Sequence, residues 1–217
     1  VRRVLFAKFA MGLFEDPYGK TFKNRKRHSP ESVKLAKTIA DESTVLLKNE
    51  NQLLPLDAKS LKSIAIIGPN ADQVQFGDYT WSRNNKDGVT PLQGIKNRVN
   101  KNTAIHYAKG CSLTSLDTSG IAEAVEAAKN SEVAVIFGGS ASAALARDYK
   151  SSTCGEGFDL NDLNLTGAQS QLIREVYRTG TPVILVLVTG KPFVIEWEKN
   201  NLPAILVQYK RSEEHTS

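Results

Sequence analysis

The sequence contains few of the residues from which metal and thiol sites are usually built. Its 217 residues include only two cysteines and three histidines. Cys111 and Cys154 lie far apart and match no zinc-ligand spacing. No histidine stands near Cys154 in the sequence to act as the base for a thiol nucleophile. We therefore predict neither a metal site nor a cofactor, and the two cysteines leave the redox compartment open.

Long apolar runs are absent as well. No stretch of about eighteen uncharged apolar residues occurs, so the sequence predicts no membrane span. The chain starts at Val1 without methionine, and charges interrupt its first apolar residues, which is not the pattern of a signal peptide.

The net charge is modest, at +5. Much of it comes from one run, KNRKRH at residues 23–28. Such a run can mark nuclear targeting or nucleic-acid binding, but no aromatic residues are interleaved with it. It is more typical of a solvated linker, and no nucleic-acid partner is predicted.

From Ser29 onward, helical and strand patterns alternate. Ser29 and Thr90 precede Pro30 and Pro91, the arrangement of an N-cap followed by proline in the first turn. Apolar spacing predicts helices with faces over 33–47, 91–99, 121–128 and 172–176, and strands over 63–68, 103–107, 133–139, 182–188 and 204–208. Uninterrupted apolar strands separated by helices predict a mostly parallel sheet covered on both faces, an α/β sandwich of flavodoxin-like character.

Functional groups in such sheets collect in loops at the carboxyl ends of strands. Here those loops begin at Gly68, Gly110, Gly138 and Thr189. Residues after Gly68, Gly138 and Thr189 lack the glycine spacing of phosphate-binding loops, so we interpret them as tight turns. The loop from Gly138 to about residue 166 is by far the longest, which points to a functional role.

This long loop contains RDY (147–149) and CGEGFD (154–159). Glu156 stands between two glycines, on backbone that can approach a ligand closely, and Phe158 could stack against a sugar ring. From these residues alone the pattern is a weak signal of catalysis and is more typical of a solvated acidic turn, and the roles of Arg147, Asp148 and Cys154 stay open.

The segment GEGFD (155–159), followed by LNL (163–165) and Gln169, resembles the acid/base loop of glycoside hydrolase family 3. Further pieces match the family in the expected order: IADESTVLLKNE with LLPL (39–56), IIGPNA (66–71), TPLQGI (90–95), YAKGC (107–111) and TGKP (189–192). The resemblance covers about residues 1–210.

The resemblance implies an active site shared by two domains. In the family, a TIM-like barrel carries the nucleophilic Asp, and a second domain, the one matched here, contributes the acid/base Glu. That role maps onto Glu156, and Phe158 falls where members carry an aromatic near the leaving-group subsite. One departure is Leu160, where many members have Arg, so an ion pair that stiffens the loop is in doubt. Family members are often periplasmic or secreted.

The sequence is predicted to divide into three segments. Residues 1–28 are expected to be the last helix of a preceding barrel domain plus a linker, and residues 29–210 a truncated second domain. Residues 211–217 (RSEEHTS) are what the bases AGATCGGAAGAGCACACGTCT encode, a common sequencing adapter. We therefore hypothesise that this tail is not biological; the alternative is a polar C-terminus.

The function implied is that of a retaining exo-acting β-glycosidase that releases terminal glucose or xylose from an oligosaccharide or aryl β-glycoside. A non-catalytic α/β module that binds a nucleotide or small ligand at the sheet edge is the alternative. A degenerate family member kept as a carbohydrate-binding or scaffold protein is a third.

Overall fold

A computed structural model describes residues 1–18, 29–77, 88–141, 153–154 and 161–209. Several sequence-based predictions fall outside these ranges. They concern the basic run 23–28, the tail 211–217, and the loop residues Arg147, Asp148, Glu156, Phe158, Asp159 and Leu160.

The described residues form six strands, which are β1 (Val45–Asn49), β2 (Ser63–Ile67), β3 (Ala104–Ala108), β4 (Val133–Gly139), β5 (Val183–Thr189) and β6 (Ala204–Tyr209). They make one sheet in the order β1-β6-β5-β4-β2-β3. All neighbouring pairs are parallel except β1 and β6. Without β1, the order is that of flavodoxin, in which the first strand lies between the second and the third. The mostly parallel, flavodoxin-like prediction is therefore confirmed.

Two of the helices begin at caps that the sequence predicts. The Ser29 and Thr90 hydroxyls accept hydrogen bonds from Ser32 N and Gln93 N, and a proline follows each cap. The helices are α1 (Arg2–Ala10), α2 (Pro30–Glu42), α3 (Pro91–Arg98), α4 (Ile121–Lys129), α5 (Gln169–Tyr177) and α6 (Glu196–Asn201), with a short 3₁₀ turn at Glu50–Gln52.

Each face of the sheet has its own apolar core. Alternate residues of β2, β4 and β5 point to opposite faces, so both faces need a cover. Residues of α4 and α5, with Trp197 of α6, cover one face, and α3 with the leucines of segment 53–61 covers the other. Helix α3, which follows β2, therefore lies on one face of the sheet, and α4, α5 and α6 lie on the other. This is expected for right-handed connections, because the chain leaves β2 and β4 in opposite directions along the sheet.

Two predictions at the edges of the domain were wrong or incomplete. Leu47 was assigned to the helical face that begins at Val33, but α2 ends at Glu42 and Leu47 lies in β1. This edge strand runs antiparallel to β6 and exposes Val45, Leu46 and Leu47, so it has no buried-strand pattern to recognise. The six-residue helix α6 was not predicted because it is too short for helical periodicity to show.

The first helix makes no buried contact among the described residues. None of the residues of α1 is buried, and Val4, Phe6 and Phe9 are exposed. Across the ranges that the structure describes, no helix combines the length and apolar character required to cross a membrane.

Candidate functional site

The sheet reverses its order of connection between β2 and β4. The connections that leave the carboxyl ends of these adjacent strands turn to opposite faces of the sheet. In open α/β sheets, ligands bind at such a point. The loop after β2 runs towards Thr90, and the loop after β4 is the long one that carries Glu156. The fold therefore brings the predicted functional loop to the expected binding edge.

A buried amide joins the two loops at this point. Asn70, which is fully buried, donates from its backbone N–H to Phe137 O at 3.1 Å and from Nδ2 to Gly138 O at 3.1 Å. Its Oδ1 accepts a hydrogen bond from Gln75 Nε2 at 2.6 Å. The start of the β2 loop is thus fixed to the end of β4.

The long loop returns to β4 just before Glu156. Thr153 N donates to Ala141 O at 3.1 Å, and Ala141 N donates to Thr153 Oγ1 at 2.9 Å. The Cys154 thiol also lies 3.5 Å from Ala141 O, and the Ser140 hydroxyl donates to its sulfur at 3.5 Å. Thr153 and Cys154 are both buried, so the chain enters the Glu156 segment from a fixed point.

The far end of the loop has its own anchors. Val194 N, in the connection from β5 to α6, donates to Leu163 O at 2.9 Å. The Thr166 hydroxyl donates to Leu113 O at 2.7 Å. The two flanks of the Glu156 segment, at Cys154 and at Leu163, are therefore hydrogen-bonded to residues that follow β4 and β5.

Gln169 connects the two ends of the whole loop. It is the first residue of α5 and only 1% exposed. Its Oε1 accepts from Gly139 N at 2.8 Å, and its Nε2 donates to Gly139 O at 3.0 Å, Leu113 O at 3.1 Å and Thr166 O at 3.1 Å. Gly139 stands just before the loop and Thr166 stands at its end. The Gln169 side chain therefore contacts the backbone at both ends of the loop.

A buried ammonium group lies on the same edge. Lys191 Nζ lies over the Phe193 ring at 4.8 Å from its centroid and, among the described residues, is buried without a hydrogen-bond partner. Burial lowers the pKa of Lys191, while Cys154 and Asp162 nearby act in the opposite direction. The lysine therefore stands beside both flanks of the Glu156 segment.

Residues 44–216 match the sequence model of the Glycosyl hydrolase family 3 C-terminal domain. The chain belongs to glycosyl hydrolase family 3. It is 38% identical to a β-xylosidase of Formosa agariphila over 94% of this chain and 28% of that protein. It is 35% identical to a periplasmic β-glucosidase of Salmonella typhimurium over 94% of this chain and 29% of that protein.

Solved structures of β-glucosidases show the same fold. A β-glucosidase from Erythrobacter marinus superposes with a TM-score of 0.77 and 31% identity, covering 95% of this chain and 30% of that one. The Listeria innocua β-glucosidase with isofagomine gives a TM-score of 0.75 and 29% identity, covering 95% and 27%. The chain thus spans less than a third of the length of these relatives.

Some of the predicted site residues lie in the described part of the chain and others lie outside it. Glu156 and Phe158 lie outside the described residues, and their assignment stays a prediction. Cys154 is described: its thiol is buried against Ser140 and Ala141, and Cys111 is buried as well. No cluster of three or more potential metal ligands occurs within the described ranges.

Sequence reasoning missed the structural importance of Asn70, Thr153 and Lys191, and used Gln169 only as a motif residue. One signal was available for Gln169. It precedes Leu172, Ile173 and Val176 on the buried face of α5, and a polar side chain on an apolar face indicates a buried hydrogen-bond network. Nothing in the spacing indicated Thr153, whose partner Ala141 lies 12 residues earlier, or Lys191, which comes near Cys154 and Asp162 only in the folded chain.

Proposed function

We propose that this domain supplies the general acid/base, Glu156, to a retaining exo-acting β-glycosidase that releases terminal β-linked glucose or xylose. The observation that carries the proposal is the family match combined with the position of GEGFD in the loop after β4. The names of the relatives, β-xylosidase and β-glucosidase, support the substrate class. The anchored flanks Cys154 and Leu163 support a fixed location for the Glu156 segment.

The chemistry requires two carboxyl groups about 5–5.5 Å apart. A nucleophilic Asp on a barrel domain outside this chain attacks the anomeric carbon, while Glu156 protonates the leaving oxygen. Glu156 then removes a proton from the water that hydrolyses the glycosyl-enzyme. Phe158 is proposed to contact the leaving group, two residues along the same loop. Closure of the barrel against this sheet edge would raise the pKa of Glu156, so that it holds a proton at neutral pH.

The test is Glu156→Ala in the complete enzyme. Substrates with poor leaving groups need protonation and should lose roughly 10²–10⁴-fold in kcat/KM. Nitrophenyl glycosides need little protonation, so their glycosylation should be largely spared, and azide, which needs no general base, should restore turnover as a β-glycosyl azide. A polypeptide of only these residues should be inactive, because it supplies one of the two carboxyl groups.

Glu175→Ala and Asp159→Ala serve as controls for this experiment. Glu175 lies on α5 and pairs with Arg178, away from the loop. Equal losses on both substrate types without azide rescue in Glu156→Ala would exclude Glu156 as the acid/base. A larger loss at Asp159 that azide rescues would move the role to that residue.

A further inference from the structure

The hydrogen bonds of the Gln169 side chain go to the backbone at the end of β4 and in two loops, rather than to side chains of the core. Its neighbours along the buried face of α5 are Leu172, Ile173 and Val176, all of them almost fully buried. A polar side chain in this setting is costly unless it is hydrogen-bonded. All four carbonyl and N–H partners of the Gln169 amide within 3.1 Å belong to backbone at Leu113, Gly139 and Thr166.

Leucine at this position would fill the apolar face without needing partners, so packing alone does not explain a glutamine. What the amide provides is a connection. It holds the end of β4, the end of the Glu156 loop and the loop after β3 in one arrangement. Thr166 reinforces the third of these contacts, since its hydroxyl also donates to Leu113 O.

We infer that Gln169 is a positioning residue for the proposed acid/base, and that it sets where the Glu156 segment stands relative to the sheet edge. The inference rests on the proposed function. Proton transfer requires donor and acceptor within about 2.6–3.2 Å. A displacement of about 1 Å can cost as much as 10²-fold in rate. Releasing one end of the loop should therefore weaken protonation of the leaving group.

Two substitutions in the complete enzyme test this inference. Gln169→Leu removes the amide and keeps the apolar volume. Thr166→Val removes a hydroxyl that donates to Leu113 O at 2.7 Å and accepts from Gln169 Nε2 at 3.5 Å. The matched control is Thr181→Val, which removes a hydroxyl bond to Ala128 O at 2.9 Å at the opposite edge of the sheet. Thermal unfolding of all three variants measures the general cost of a lost hydrogen bond.

The decisive readout is the ratio of kcat/KM for a nitrophenyl glycoside to that for an alkyl glycoside. We expect Gln169→Leu to raise this ratio by roughly 10-fold or more, and Thr166→Val to raise it by a smaller factor. Azide should partly restore turnover of the nitrophenyl substrate in Gln169→Leu. Thr181→Val should lower the unfolding temperature about as much as Thr166→Val and leave the ratio unchanged.

The inference is overturned if Thr166→Val and a folded Gln169→Leu both keep the wild-type ratio. If Gln169→Leu does not fold, Thr166→Val against Thr181→Val decides the question alone. Glu156→Ala, measured in parallel, separates the two ideas. If Glu156→Ala changes the ratio and the other variants do not, only the positioning role is wrong. If Glu156→Ala leaves the ratio unchanged, the proposed function is wrong.

Discussion

Gly139 and Val188, on neighbouring strands β4 and β5, approach so closely that no β-carbon fits between them. A β-carbon built on Gly139 would overlap the Val188 carbonyl, at 2.9 Å from its carbon. Gly139 also has φ +120°, a conformation that side chains with a β-carbon rarely adopt. Since the Glu156 loop leaves the sheet at this residue, the tight contact fixes where the loop begins.

Gly139→Ala should therefore destabilise the domain by about 3 kcal/mol or more, because steric overlap with backbone adds to the conformational strain. Gly180→Ala is the matched control, since Gly180 has φ +81° but no atom within 4 Å of the position that a β-carbon would occupy. That variant should cost only about 1 kcal/mol from strain. Thermal and urea unfolding of the complete enzyme measure both, and equal losses would contradict the close approach of β4 and β5.

Cys111 should make stability fall at alkaline pH. Burial raises the pKa of this thiol from 9.0 to about 11, although Lys109 acts in the opposite direction. Between these values the unfolded chain has lost the thiol proton and the folded chain keeps it, so unfolding becomes easier as pH rises. Unfolding of wild type and Cys111→Ala from pH 8 to about pH 11 tests this. The difference in free energy of unfolding between the two proteins should change in that pH range only. If the two free energies vary with pH in parallel, the thiol does not contribute.

Replacing Lys191 with Met should stabilise the protein near neutral pH. The folded state there holds a buried ammonium, and the cost of this burial exceeds the gain of about 0.5–1 kcal/mol from its contact with Phe193. Because burial lowers the pKa of Lys191 below 10.5, wild-type stability should rise with pH between the lowered value and 10.5. The advantage of Lys191→Met should therefore shrink in that range.

Lys62→Met, at an exposed lysine, is the control for this comparison. It should leave the pH dependence of unfolding unchanged. If Lys191→Met is instead the less stable protein at pH 7, the ammonium is paired with an anionic group. The lysine then stabilises the fold by this attraction, and the cost of burying it is compensated.

The sequence by itself determined the family and all the elements of the sheet domain except β1, α6 and the short 3₁₀ turn. Strand β4 is apolar throughout because both faces of the sheet are covered, so its pattern needs no knowledge of its neighbours. The caps at Ser29 and Thr90 are equally local, since each hydroxyl reaches an N–H three residues further along. The motif around Glu156 indicated the family because those residues are adjacent in the chain.

Only the tertiary structure decided which residues meet. Local periodicity reports whether a side chain is buried, but not which strand lies beside it. The antiparallel pairing of β1 with β6 joins residues at opposite ends of the domain and leaves the first residues of β1 exposed, so Leu47 gave a misleading signal. In the same way, Gln169 at the start of α5 contacts Gly139 at the end of β4 and Leu113 in the loop after β3. Such contacts arise from the order of the strands, which is set by packing across the whole sheet rather than by any one segment.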